Sequence, residues 1–105
     1  MNLMSFWVYM LRCADDKFYI GHTDSLEVRI AEHQSGATGG FTASRLPVTL
    51  VFSEEFSSRQ EALERERQLK GWSRAKKAAL CRGDWEQIRS LSRIRSSFDK
   101  LRTNG

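Results

Sequence analysis

Five side chains in this chain have types and positions that packing alone does not require: Tyr9, Tyr19, Arg29, His33 and Glu66. Glu66 is the most informative. At about 100° per residue from Ala62, Leu69 falls near about −20°, Glu66 near about +40° and Leu63 near about +100°. Glu66 therefore lies inside the apolar stripe of its helix, while Glu64 faces the other way. Burying an unpaired carboxylate costs roughly several kcal/mol, so Glu66 must meet an arginine, a metal ion or a solvent-filled cleft. A plain ion pair with Arg29 would satisfy it. On an earlier helix Leu26, Ile30 and His33 share a narrow arc, and Arg29 borders that arc one turn before His33. An inward histidine alone is more often a satisfied core residue, and a strand tyrosine is by default a packing residue. Together with Arg29 and Glu66 they become a candidate active site, because a carboxylate, a guanidinium, an imidazole and phenols can hold ions and move protons.

The elements that must position these groups start with Phe6-Trp7-Val8-Tyr9-Met10-Leu11. This run is apolar, aromatic and branched, the pattern of a central strand covered on both faces. Lys17 to His22 forms the return strand. With an odd loop such as Ala14-Asp15-Asp16, Tyr9 falls opposite Gly21 and Tyr19 opposite Leu11, all on one face, whereas a two-residue loop would separate the tyrosines. That face is expected to be the side of Glu66 as well. Asp24 or Ser25 caps a helix that ends at Ser35-Gly36. Ser35 to Pro47 holds three glycines and the only proline, and is expected to be a mobile loop. A third strand spans Val48 to Phe56, and Ser57 or Ser58 caps a helix from about Arg59 to Lys70. Gly71 breaks that helix, Ser73 caps a basic one, and a last helix from Asp84 is expected to bury Trp85 and Ile88. The resulting class is α+β, a small three-stranded antiparallel sheet flanked by helices. Residues 1–91 are expected to form one domain, with 92–105 as a basic, frayed tail.

The 105 residues and 12.1 kDa leave room for one modest core. Residues 1–64 hold 5 basic and 9 acidic side chains and residues 65–105 hold 12 and 4, which together make the net charge of +4. A cationic C-terminal part suggests a polyanionic partner. Cys13 and Cys81, the only cysteines, have no metal-ligand spacing and are expected to be free cytosolic thiols. The apolar N-terminal run is too short to span a membrane and lacks the flanks of a signal peptide. A cytoplasmic protein with no membrane association is the expectation, and no sequence feature marks an oligomer interface.

Trp7-Val8-Tyr9, Tyr19-Ile20-Gly21, Arg29 with His33, and Glu66 within Ala62-Leu63-Glu64-Arg65-Glu66 together resemble the motifs of the GIY-YIG nuclease superfamily, in particular its small stand-alone bacterial members. The resemblance extends from about Trp7 to Trp85. Each short motif is weak, whereas their joint order and spacing are specific. Trp7 stands where the family has its first glycine, and Arg82-Gly83-Asp84 stands where many members have Asn-Pro. The resemblance implies hydrolysis of DNA phosphodiester bonds with one Mg²⁺ or Mn²⁺ ion held by Glu66. Arg29 would then hold a phosphate oxygen, Tyr9 would activate or orient water with help from Arg29, His33 or the metal, Tyr19 would position water or phosphate, and Gly21 would leave room for close approach. Lys70, Arg74, Lys76 and Lys77 are the expected substrate contacts. Repair or processing of foreign or branched DNA is the implied setting, with a preference for structure over sequence. The competing reading is a non-catalytic nucleic-acid-binding module that keeps the fold.

Overall fold

In the computed structural model, which describes residues 4–92, β1 (Phe6–Arg12) is buried across Val8, Tyr9, Met10 and Leu11. A strand covered on both faces belongs in the middle of a sheet. It pairs antiparallel with β2 (Phe18–Thr23) and with β3 (Thr49–Phe56), giving the order β2-β1-β3. The α+β class is the one expected. The register is also as expected: Tyr9 pairs with Gly21 and Leu11 with Tyr19. Cys13 N–H donates to the Lys17 carbonyl at 2.8 Å, which closes a three-residue loop, Ala14-Asp15-Asp16. Asp16 takes the left-handed conformation (φ 66°) that the last position of such a loop requires and that aspartate tolerates.

The two faces of the sheet carry different layers. Tyr9, Leu11 and Cys13 pack with Val48 and with Ile30 of α1 (Leu26–Ser35), joined by Tyr19 and Leu26. Alternation sends Val8, Met10 and Ile20 to the other face. There α3 (Arg59–Lys70) packs against β1 and β2 and buries Ala62 and Leu69. Helix α3 starts at a serine N-cap: the Ser58 hydroxyl accepts from the Glu61 N–H at 3.2 Å and donates to the Glu61 carboxylate at 2.9 Å. Helix α1 ends where Gly36 turns left-handed (φ 81°), so that the Gly36 and Ala37 N–H groups reach the His33 and Glu32 carbonyls. Ser25 is the N-cap residue of α1, but its hydroxyl donates to Asp24 instead of capping the helix.

The segment expected to be a mobile loop is built differently. It contains α2 (Gly40–Ala43), and Thr42 is fully buried against His33. Side-chain hydrogen bonds, the buried Thr42–His33 bond foremost, order this stretch, and no periodicity announces them.

The described chain forms two compact units, divided between Gly71 and Trp72. The first holds the sheet with α1, α2 and α3. The second holds α4 (Arg74–Arg82), capped by Ser73, and a helical stretch over 85–92. Asp84 caps that stretch by accepting from the Gln87 N–H at 3.1 Å, and Ile88 is buried as expected. Trp85 is not: it is 54% exposed. Sequence spacing identifies an apolar face, but whether a neighbour covers each position depends on the packing. Of the expected tail, residues 93–105 lie outside the described residues.

Candidate active site

Tyr9 and Tyr19 share one face of the sheet, with ring centroids 6.3 Å apart. The Tyr9 ring lies over Gly21, its partner across the strands. A Cβ on Gly21 would stand 2.6 Å from the Tyr9 hydroxyl oxygen and 2.8 Å from Cζ, so only glycine leaves room for the ring. Tyr9 is 1% exposed and has no space into which to swing. Gly21→Ala is therefore expected to cost about 1–3 kcal/mol through overpacking and to displace the phenol. Thermal unfolding checks this; a variant as stable as the wild type would show that the ring adapts.

Helix α1 supplies the partners of Tyr9. His33, 1% exposed, places Nε2 at 2.9 Å from the Tyr9 hydroxyl. Its Nδ1 lies 2.8 Å from Thr42 Oγ1 and 3.2 Å from Thr38 Oγ1. Both ring nitrogens are thus engaged and the ring is oriented by the segment after α1. Thr38 and Thr42 were not among the residues singled out in the sequence. Burial, followed by the charge of Arg29, lowers the pKa of His33 below the usual imidazole range, so the ring is neutral at pH 7. Burial also pushes the Tyr9 phenol up to about 12, although Arg29 beside it favours the phenolate. Arg29 itself is half open to solvent and also pairs with Glu32 at 3.6 Å. Its place at the border of the buried arc is the one its spacing indicates.

Glu66 corrects one expectation. It is buried at 8% exposure, as the helical stripe requires, but it does not share the tyrosine side of the sheet and does not pair with Arg29. His22 Nδ1 donates to Glu66 Oε1 at 2.6 Å, and Lys70 Nζ donates to Oε2 at 2.7 Å. His22 follows Gly21 in the strand, so alternation points it away from the face that carries the tyrosines. The signal for His22 was present in that alternation, once Glu66 is assigned to the opposite layer. Burial opposes ionisation of Glu66, but the hydrogen bonds from Lys70 and His22 outweigh it and hold the carboxyl below its usual range.

The two halves come together around β2, which is an edge strand. The negative charge of Glu66 adds to the upward push on Tyr9. A cavity of about 350 Å³ is lined by both His22, the partner of Glu66, and Arg29, the neighbour of Tyr9. Among the described residues, no group of three or more His, Cys, Asp and Glu side chains surrounds one point. The donor chemistry fits a hard divalent cation that keeps most of its waters, since such an ion needs only one or two carboxylates and Glu66 is ionised. Lys70, expected on the substrate, is instead bonded to Glu66, though its side chain is 56% exposed. Arg74, Lys76 and Lys77 lie on α4 in the second unit, where Lys76 Nζ stands 4.2 Å from the Trp72 ring centroid.

A family model described as the GIY-YIG catalytic domain matches residues 5–79. The chain is 46% identical over 74 residues to a UPF0213 protein of Natronomonas pharaonis, covering 70% of this chain and 87% of that one. It is 44% identical over 74 residues to a UPF0213 protein of Staphylococcus haemolyticus, with 70% and 90% covered. Among solved structures it is similar to the UPF0213 protein BH0048 of Bacillus halodurans, at 37% identity and a TM-score of 0.50 over 85% of this chain and 98% of that one. It is also similar to the protein EF2693 of E. faecalis, at 32% identity and a TM-score of 0.51 over 90% of each.

Proposed function

The chain belongs to the GIY-YIG catalytic domain family, and from that membership we propose that it is a divalent-metal-dependent DNA endonuclease, its nuclease domain spanning residues 1–91. The observation that carries the proposal is the meeting, around the edge strand β2, of a Tyr9–His33–Arg29 cluster with the ionised carboxylate Glu66. A binding module has no need of a buried, ionised carboxylate held against the same strand from the opposite face.

Each residue has a task in this reading. Glu66 would hold Mg²⁺ or Mn²⁺, with His22 fixing the orientation of the carboxylate. A bound ion of this kind offsets charge on the phosphate oxygens and acidifies water. Arg29, open to the cavity, holds a non-bridging phosphate oxygen with its planar donor fork as charge builds on phosphorus. Tyr9 at pKa about 12 is protonated at neutral pH and is no independent base. It can take a proton from the attacking water only as its own proton passes to His33 Nε2, which is 2.9 Å away and neutral. His33 thus works through Tyr9, without touching the substrate. Tyr19, partly open, positions water or phosphate. Lys70, on leaving Glu66, is a phosphate contact in this reading, and within the second unit so are Arg74, Lys76 and Lys77. We assign the protein to DNA repair or processing in the cytoplasm. Among the described residues no helix is long and apolar enough to cross a membrane.

Incubation with single-stranded, duplex and branched DNA, in Mg²⁺, Mn²⁺ or chelator, tests the reading. Cleavage that the chelator stops is the expected result. Binding to every substrate without cleavage in either metal would leave a nucleic-acid-binding module in its place.

A further inference from the structure

The aromatic cluster of the site does not stop at the buried residues. The rings of Tyr9, His33 and Tyr19 are followed by Phe41 of α2, whose centroid is 6.2 Å from that of Tyr19. Exposure rises along this series, from 1% at Tyr9 to 38% at Phe41. Phe41 is therefore the surface end of the cluster, adjacent to Tyr19. The Arg45 guanidinium lies 3.8 Å from its ring centroid. Arg45 is held there by three hydrogen bonds, from Nε to Asp15 at 3.1 Å and from Nη1 to the Phe41 carbonyl at 2.9 Å and Ser44 Oγ at 3.2 Å. Helix α2 is in turn anchored by the buried Thr42–His33 bond. An exposed ring with an ordered guanidinium against it is a ready surface for a third flat group.

We infer that Phe41, backed by Arg45, is a stacking platform for an unpaired nucleobase of the substrate. This rests on the nuclease reading for the chemical class of the ligand, and it adds a specificity: strands with unstacked bases are favoured over flush duplex, whose bases are already stacked on one another and cannot reach the ring. Because Asp15 balances the Arg45 charge, the platform acts through stacking and not through attraction of phosphate. It would hold one base next to Tyr19 and so fix the strand relative to the proposed site.

Binding in chelator, where no cleavage occurs, isolates this step. A dye-labelled single-stranded oligonucleotide and a duplex of equal length are titrated with wild type, Phe41→Ala, Phe41→Leu and Phe41→Trp. The wild type is expected to favour the single strand, and Phe41→Ala to lose about tenfold on it while duplex affinity stays within about twofold. Phe41→Leu keeps apolar packing under Arg45 but has no π face, so it should show the same loss, and Phe41→Trp should restore binding. Wild-type affinity in the leucine variant, or an equal loss on both substrates, would overturn the platform and leave the nuclease reading standing. Failure of the wild type to bind either substrate would remove both.

Discussion

Glu66→Ala is expected to abolish metal-dependent cleavage while the protein stays folded. The carboxylate is the group proposed to hold the ion, and its loss removes a charge that neither His22 nor Lys70 can replace, both being donors. The cost to the fold is small. The Lys70 pair is an i,i+4 contact with an exposed ammonium, a class of pair worth about 0.3–0.5 kcal/mol. His22 is partly open and can turn to water. Thermal unfolding should thus place the variant within about 1 kcal/mol of the wild type. Glu66→Gln sharpens the test, because the amide oxygen can still accept from His22 Nδ1 but carries no charge. Nicking at the wild-type rate by either variant, in Mg²⁺ or Mn²⁺, would end the assignment of Glu66.

Arg29→Ala is expected to lower turnover by about 10²-fold or more, the range seen when one donor to a developing oxyanion is removed. The structure adds a second reason. Arg29 is the neighbour that favours the ionised form of Tyr9 against burial, so its loss makes any proton transfer through that phenol harder. Both effects act on the chemical step and predict a fall in kcat. A rise in KM with kcat unchanged would instead assign Arg29 to ground-state binding. Arg29→Lys is not expected to rescue the rate, since a lysine offers a point charge without the planar fork.

The hairpin register was legible only as a choice, since an odd loop lets Tyr9 and Tyr19 share a face and a two-residue loop separates them; the three-residue turn at Ala14-Asp15-Asp16 makes that choice. The burial of Glu66 was legible because helical periodicity is a local property. Its partner was not. Spacing offers Arg29 as a plain ion-pair partner, whereas His22 and Lys70 hold the carboxylate. Lys70 stood one turn away on the same helix, but His22 required knowing which layer α3 joins. Thr38 and Thr42 were missed for a related reason, since glycine-rich spacing says that a segment can bend and not which hydroxyl it will bury.

By itself, then, the chain's order of residues determined the strands, the caps of α3 and α4, and the inward turn of His33 and Glu66 with Arg29 at the border of the buried arc. All of these follow from periods of two and 3.6 residues and from turn chemistry, which act over a few positions. Only the tertiary structure decided that the tyrosine cluster and the carboxylate occupy opposite faces and come together around the edge strand β2. That outcome depends on which face of the sheet each helix covers, a matter of long-range packing to which the local periods are indifferent.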